Sequence, residues 1–97
     1  MKRFLPLLAA CAALALPATA AEPLRVILVG DSTMASKSGY GDALCQRFLP
    51  EVRCINLARG GRSSGSFRAE GRWDEVQALL ADRSYRATYV LVQFGHN

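Results

Sequence analysis

Gly30-Asp31-Ser32 ends an unbroken apolar run, Val26-Ile27-Leu28-Val29, and opens a turn. A serine placed there is lifted off the C-terminal edge of a buried parallel strand, where ligands gather in open α/β sheets. Serine becomes a nucleophile at neutral pH only with a neighbouring base and with donors for the developing oxyanion. Two further polar tips offer donors: Gly61-Arg62-Ser63 after a second apolar run, and Gly95-His96-Asn97 after a third. The backbone N–H groups of Ser32 and Gly61 and the side-chain amide of Asn97 would meet at one sheet edge. Singly, each residue has a plainer explanation. Gly30 permits a tight turn, Asp31 or Ser32 caps the next segment, Gly61 loosens a Gly/Ser stretch, and Asn97 is a turn former. Their coincidence at three tips favours a hydrolase site with Ser32 as nucleophile.

The base is harder to place. His96 is the single histidine. On an extended segment adjacent side chains point to opposite faces, so if Asn97 faces Ser32, His96 turns away. It reads as a structural residue hydrogen-bonded to loop backbone.

The elements that must carry these tips follow from the apolar pattern. Leu24 to Val29 is a strand apolar on both faces, as a parallel strand covered on both sides requires, with Arg25 interrupting its start. Asp31 to Gly39 is a polar loop. Gly41 to Leu49 has Ala43, Leu44, Phe48 and Leu49 at helical spacing, and Pro50 ends it. Val52 to Leu57 is a second strand. Arg59 to Gly71 reads as one long Gly/Ser-rich loop, a length usual for functional or disordered segments. Trp73 to Ala81 is a helix with Asp74 and Glu75 in its first turn, and Ala87 to Phe94 is a third strand. The order β-α-β-α-β implies a parallel sheet with right-handed crossovers.

Residues 1–20 are read as a leader and not as fold. Lys2 and Arg3 form a basic start, Phe4 to Leu16 is apolar, and Ala18-Thr19-Ala20 is a cleavage site, so the mature chain begins at Ala21 and is periplasmic or secreted. The apolar stretch falls short of the roughly 20 residues that span a bilayer. Leu8-Ala9-Ala10-Cys11 faintly resembles a lipoprotein box, but it comes too early for a full signal core. The formal charge of +4 falls to about +2 once Lys2 and Arg3 leave. That balance argues for neither nucleic acid nor a membrane surface. No Cys/His cluster has metal-ligand spacing, so neither metal nor cofactor is expected. Cys45 and Cys54 remain in the mature part. Either they form a disulfide, as export permits, or they are two small buried apolar residues.

Four blocks carry a family resemblance: Gly30-Asp31-Ser32-Thr33-Met34-Ala35, Asn56-Leu57-Ala58-Arg59-Gly60-Gly61-Arg62-Ser63, Ser66-Phe67-Arg68-Ala69-Glu70-Gly71-Arg72-Trp73 and Gln93-Phe94-Gly95-His96-Asn97. In this order they resemble the opening blocks of the SGNH (GDSL-type) hydrolases, most nearly the rhamnogalacturonan acetylesterase branch. The resemblance implies a flavodoxin-like three-layer α/β/α sandwich and hydrolysis of an O-acetyl ester on a carbohydrate. It implies Ser32 as nucleophile and Ser32 N–H, Gly61 N–H and the Asn97 side chain as the oxyanion hole. It assigns no direct chemistry to Asp31 or Arg62. The family's Asp-x-x-His pair has no counterpart in the 97 residues, and Gly39-Tyr40-Gly41 stands where this branch often has Gly-Trp-Gly. Residues 21–97 are therefore read as the N-terminal part of such a domain, expected to be inactive and poorly soluble alone. In a 2-1-3-4-5 sheet its third strand, with Val90, Leu91, Val92 and Phe94, would be an open edge.

Arg59, Arg62, Arg68 and Arg72 admit two uses. Guanidinium forks pair well with uronate carboxylates on a sugar polymer, and they equally well pin a loop to acids such as Glu70 and Asp74. The structural use is favoured for Arg62 and Arg72. Trp73 reads as a packing residue. Two other classes of function stay open. One is a flavodoxin-like domain whose Asp31–Gly39 loop cradles a phosphate or flavin, although Asp31 is unwelcome beside an anion. The other is an inactive, export-targeted remnant.

Overall fold

A computed structural model describes residues 22–97. The leader assigned to residues 1–20 lies outside the described residues. Three strands, β1 (Leu24–Gly30), β2 (Val52–Asn56) and β3 (Ala87–Gln93), form a parallel sheet in the order β2-β1-β3. β1 pairs with β2 from Leu24↔Val52 to Leu28↔Asn56, and with β3 from Leu24↔Ala87 to Gly30↔Gln93. The direction of strand addition reverses at β1, so its C-terminal end lies at the switch point where an α/β sheet opens a crevice.

β1 is buried from Arg25 through Gly30, and alternate residues serve opposite faces. Ile27 and Val29 pack with Phe67 and Val76, joined by Trp73, Leu79, Val90 and Phe94. Val26 and Leu28 pack with Met34, joined by Leu44, Phe48, Val52 and Cys54. Full burial of each such side chain is worth about 1.5–3 kcal/mol. The first face lies under α2 (Ser64–Ala69) and α3 (Arg72–Leu80), and the second under α1 (Gly41–Cys45). The result is a helix–sheet–helix sandwich, an α/β fold as the strand pattern requires.

Two elements depart from the sequence expectation. α1 stops at Cys45 instead of running to Leu49, because Arg47 and Phe48 donate to the carbonyls three residues back, Leu44 and Cys45. This tighter winding finishes the turn while Phe48 still reaches the core. The segment 59–71 is not one loop, since α2 forms within it. A reciprocal cap starts α2: Ser66 N–H donates to Ser63 Oγ at 3.1 Å, and Ser63 N–H donates to Ser66 Oγ at 2.9 Å. Phe67, fully buried and edge-on to Phe94 with ring centroids 5.5 Å apart, anchors it.

Arg25, which the pattern treated as an interruption, is a buried brace. Its guanidinium donates to Leu79 O (2.7 Å), Asp82 O (3.0 Å) and Thr88 Oγ1 (3.0 Å), closing the C-terminal end of α3 onto β3. It also stacks on Tyr85, 4.3 Å from the ring centroid. Cys45 and Cys54 are joined by a disulfide with Cα atoms 5.3 Å apart, which ties the end of α1 to β2. β3 is the outer strand on the other side, with Tyr89, Leu91 and Val92 exposed, whereas Val90 and Phe94 turn into the core.

Candidate active site

The three polar tips converge because backbone bonds continue past the ends of the strands. Arg59 N–H donates to Gly30 O at 2.9 Å, and Asp31 N–H donates to Gln93 O at 3.3 Å, so the end of β1 is held from both sides. Ser32 follows immediately and is partly exposed. Met34 N–H and Ala35 N–H both close on Asp31 O at 3.0 Å, which folds the chain after Ser32 into one helical turn. Ser38 Oγ donates to Ser32 O at 2.7 Å. Among the described residues, neither Ser32 N–H nor Gly61 N–H has a hydrogen-bond acceptor, so both remain available to an anion.

The β2 exit lies against Ser32: a Cβ built on Gly60 would stand 3.7 Å from Ser32 Cβ. Gly61 has φ +78°, in the left-handed region that a side chain would strain. Arg62 locks this bend. Its Nη1 donates to Gly60 O at 2.8 Å, and its Nε and Nη2 form a fork on Glu70, with Nη2–Oε1 at 2.9 Å. Glu70 also pairs with Arg72 at 3.3 Å. The Arg62 hydrogen bond, against the opposing effect of burial, holds the Glu70 carboxyl below its ordinary range. The structural use of Arg62 and Arg72 is the one observed.

Asn97 reaches the same bend from β3, donating its Nδ2 to Arg62 O at 3.1 Å. An amide nitrogen carries two hydrogens, so this bond fixes the group and leaves a second donor. Ser32 and Asn97 therefore both lie against the Gly60–Arg62 bend, the loop that carries Gly61. His96 does not bond to loop backbone as expected. Its side chain is largely exposed, with Nδ1 4.0 Å from Asp31 Oδ2. Among the described residues no side chain hydrogen-bonds the Ser32 hydroxyl.

Asp31 is the residue that the spacing argument left without a role. It is 1% exposed. Its Oδ1 accepts Thr33 N–H at 3.0 Å and its Oδ2 accepts Gly95 N–H at 3.2 Å. The Thr33 N–H is the chief reason its carboxyl sits below the usual range; burial opposes this, and Gly95 N–H, the Thr33 side chain and the nearby His96 reinforce it. The sequence pattern likewise gives Asn56 no role beyond its block. Its Nδ2 donates to Met34 O (3.1 Å) and to Asp42 Oδ1 (3.0 Å), and its Oδ1 accepts Ala58 N–H (3.0 Å). Gly41 sits so close beneath it that a Cβ there would collide with the Asn56 amide and Met34 O. An open groove of about 670 Å³ runs from Ser38 and Gly60 between Lys37, Arg59, Arg72 and Glu75. Among the described residues no group of three or more His, Cys, Asp or Glu side chains is placed to hold a metal ion.

Three curated proteins are similar to this chain. Rhamnogalacturonan acetylesterase RhgT of Bacillus subtilis is 40% identical over 83 residues, covering 78% of this chain and 34% of the relative. Rhamnogalacturonan acetylesterase of Emericella nidulans is 41% identical over 73 residues, covering 74% of this chain and 27% of the relative. The probable rhamnogalacturonan acetylesterase YesY of Bacillus subtilis is 37% identical over 79 residues, covering 75% and 35%. The chain thus spans about a third of the length of the curated relatives it matches. No protein-family model and no solved structure matches it.

Proposed function

We propose that this chain, an SGNH-type hydrolase by its blocks, its fold and its relatives, supplies the nucleophile and oxyanion hole of an exported carbohydrate acetylesterase. The observation that carries the reading is the meeting of Ser32, with the unengaged Ser32 and Gly61 N–H groups, and the Asn97 amide around Gly60–Arg62. Ser32 Oγ attacks the acetyl carbonyl carbon, and its proton passes to a general base. The resemblance assigns that base to an Asp-x-x-His pair that these 97 residues do not contain. The carbonyl oxygen gains the negative charge and is met by the three donors. As the tetrahedral intermediate collapses, the C–O bond to the sugar breaks and the sugar oxygen takes the proton. Water then cleaves the acetyl-Ser32 ester, releasing acetate and restoring the hydroxyl.

The substrate proposed is an acetylated pectic polysaccharide of the rhamnogalacturonan type, or a smaller ester of such sugars. Lys37 and Arg59 line the groove whose wall residues Ser38 and Gly60 adjoin Ser32, and they suit carboxylates on such a chain. The phosphate- or flavin-binding alternative is weakened by Asp31, an ionised carboxylate beneath the loop that would cradle the anion. Residues 1–20 are proposed as the cleaved leader, which N-terminal sequencing of the mature protein checks by starting at Ala21.

The deciding experiment uses the intact native protein. A fluorophosphonate probe should label Ser32, acetate should be released from acetylated pectin, and Ser32→Ala should lower turnover by at least roughly 10⁴-fold. Absence of both labelling and acetate release sinks the reading.

A further inference from the structure

We propose that Asp31 is the positioning residue of the oxyanion hole, its buried carboxylate tying the third strand tip to the first so that Asn97 stands at a fixed place beside Ser32. This rests on reading Ser32, Gly61 and Asn97 as the donors.

Strand pairing between β1 and β3 ends at Gly30↔Gln93. Beyond Gln93 the β3 exit must be placed by other means, and Asn97 lies four residues further on. Among the described residues two hydrogen bonds hold this exit. Gly95 N–H donates to Asp31 Oδ2 at 3.2 Å, and Asn97 Nδ2 donates to Arg62 O at 3.1 Å. The second fixes the amide head alone, while the first fixes the backbone that carries it. The same carboxylate uses its other oxygen on Thr33 N–H, inside the turn that orients Ser32 N–H. One side chain therefore sets two of the three donors, one of them through a bond between residues 64 positions apart.

The need for a charge follows from the donor count. Two backbone N–H groups from two loops face two carboxylate oxygens, and an Asn in the same place offers one acceptor and one NH₂ group. In either flip its NH₂ would point at an N–H, leaving a buried donor unsatisfied and pushing one loop away. Asp31 touches no reacting atom in this scheme. It acts through Asn97 and through the Ser32 backbone. A misplacement of about 1 Å in such a donor costs roughly 10²-fold in rate.

The test compares the intact native protein with Asp31→Asn, with Gly95→Pro, and with Asp82→Asn as a control carboxylate whose partner is Ser84, away from the site. Amide exchange and NMR shifts are read first, because they need no ester chemistry. Asp31→Asn should expose the Gly95 amide to exchange and shift the Asn97 side-chain resonances. For acetyl ester hydrolysis, kcat should fall roughly 10²-fold with KM little changed. Gly95→Pro removes the donor while keeping the carboxylate, so it should reproduce the kcat loss even if Asp31→Asn fails to fold. Asp82→Asn should match wild type. Unchanged Gly95 exchange with unchanged kcat overturns the proposal. So does a loss in which KM rises while kcat holds. If wild type releases no acetate, the esterase reading falls, and the exchange readout still decides the tether.

Discussion

The two seams of β1 are built differently at the end where the site lies. Toward β2 the seam is over-determined. A disulfide joins Cys45 to Cys54, the Asn56 side chain makes three hydrogen bonds, and Leu57 and Arg59 donate to Leu28 O and Gly30 O. Toward β3 the ladder ends at Gly30. Beyond it the Asp31 carboxylate and the Asn97 amide hold the exit, helped by the Asp31 N–H and by the Tyr40 hydroxyl donating to the Gln93 side chain. The first seam fixes the loop behind Ser32 whether or not chemistry follows. The second uses few bonds, and those bonds place Asn97, the side chain proposed as an oxyanion donor. Substitutions on the two sides should therefore fail in different ways.

The largest effect expected is on the β3 side. If Asn97 is the oxyanion donor proposed, Asn97→Ala in the intact protein should cut kcat by roughly 10²–10³-fold, the usual consequence of losing one such donor. Its melting temperature should stay near wild type, since Asn97 is exposed. On the β2 side Asn56→Ala should do the reverse. Three partners lose a bond, and a stability loss of about 2–3 kcal/mol is expected in urea titration, with residual activity tracking the folded fraction. Equal stability losses for the two variants would erase the distinction.

A somewhat smaller effect is expected from replacing both Cys45 and Cys54 by Ala. The bridge closes a loop with a sequence separation of 9, for which chain-entropy reasoning gives about 2–3 kcal/mol, and measured values often fall below it. The kcat of the folded fraction should be unchanged, because Asn56 still holds the loop. A fall in kcat beyond the folded fraction would show that the bridge also tunes the site.

The seams differ in how far the sequence discloses them. The central strand was readable because its apolar residues are continuous, and that pattern dictates burial on both faces. That the three strand ends lie at one sheet edge was readable because Ser32, Gly61 and Asn97 each follow within a few residues of an apolar run in a parallel β-α-β-α-β order. α2 was not readable, since Ser64, Gly65 and Ser66 are weak helix formers and the helix exists through its reciprocal Ser63–Ser66 cap and the burial of Phe67. The length of α1 is not legible in the pattern, because Phe48 and Leu49 keep the helical spacing while the backbone tightens. Asp31, Asn56 and Arg25 act through bonds to residues 64, 22 and up to 63 positions away. No local pattern reports such partners. Their one available signal was a polar residue inside or against an apolar strand, where a buried polar group must find partners.

The smallest effect separates the seams by pH. The folded-state pKa of Asp31 lies below its ordinary value, chiefly through the Thr33 N–H, with Gly95 N–H and His96 adding to it against burial. A group whose pKa is depressed by folding contributes stability that is fully present above its unfolded pKa, about 3.9, and is lost as pH falls through the lower folded value. The β3 seam should therefore be insensitive to Asp31 between neutral pH and about pH 5, and should loosen only in more acidic solution. The disulfide and the Asn56 amide do not titrate, so the bonds of Asn56 to Met34 O and Ala58 N–H persist over that range. Amide exchange followed from neutral pH downward through and below the ordinary Asp range, corrected for intrinsic rates, should show Gly95 losing protection while Ala58 keeps it. If both amides open together, the two seams are one cooperative unit; if Ala58 opens first, the β2 side is the weaker. Either result breaks the contrast, because protonating Asp31 removes an acceptor from the Gly95 side alone.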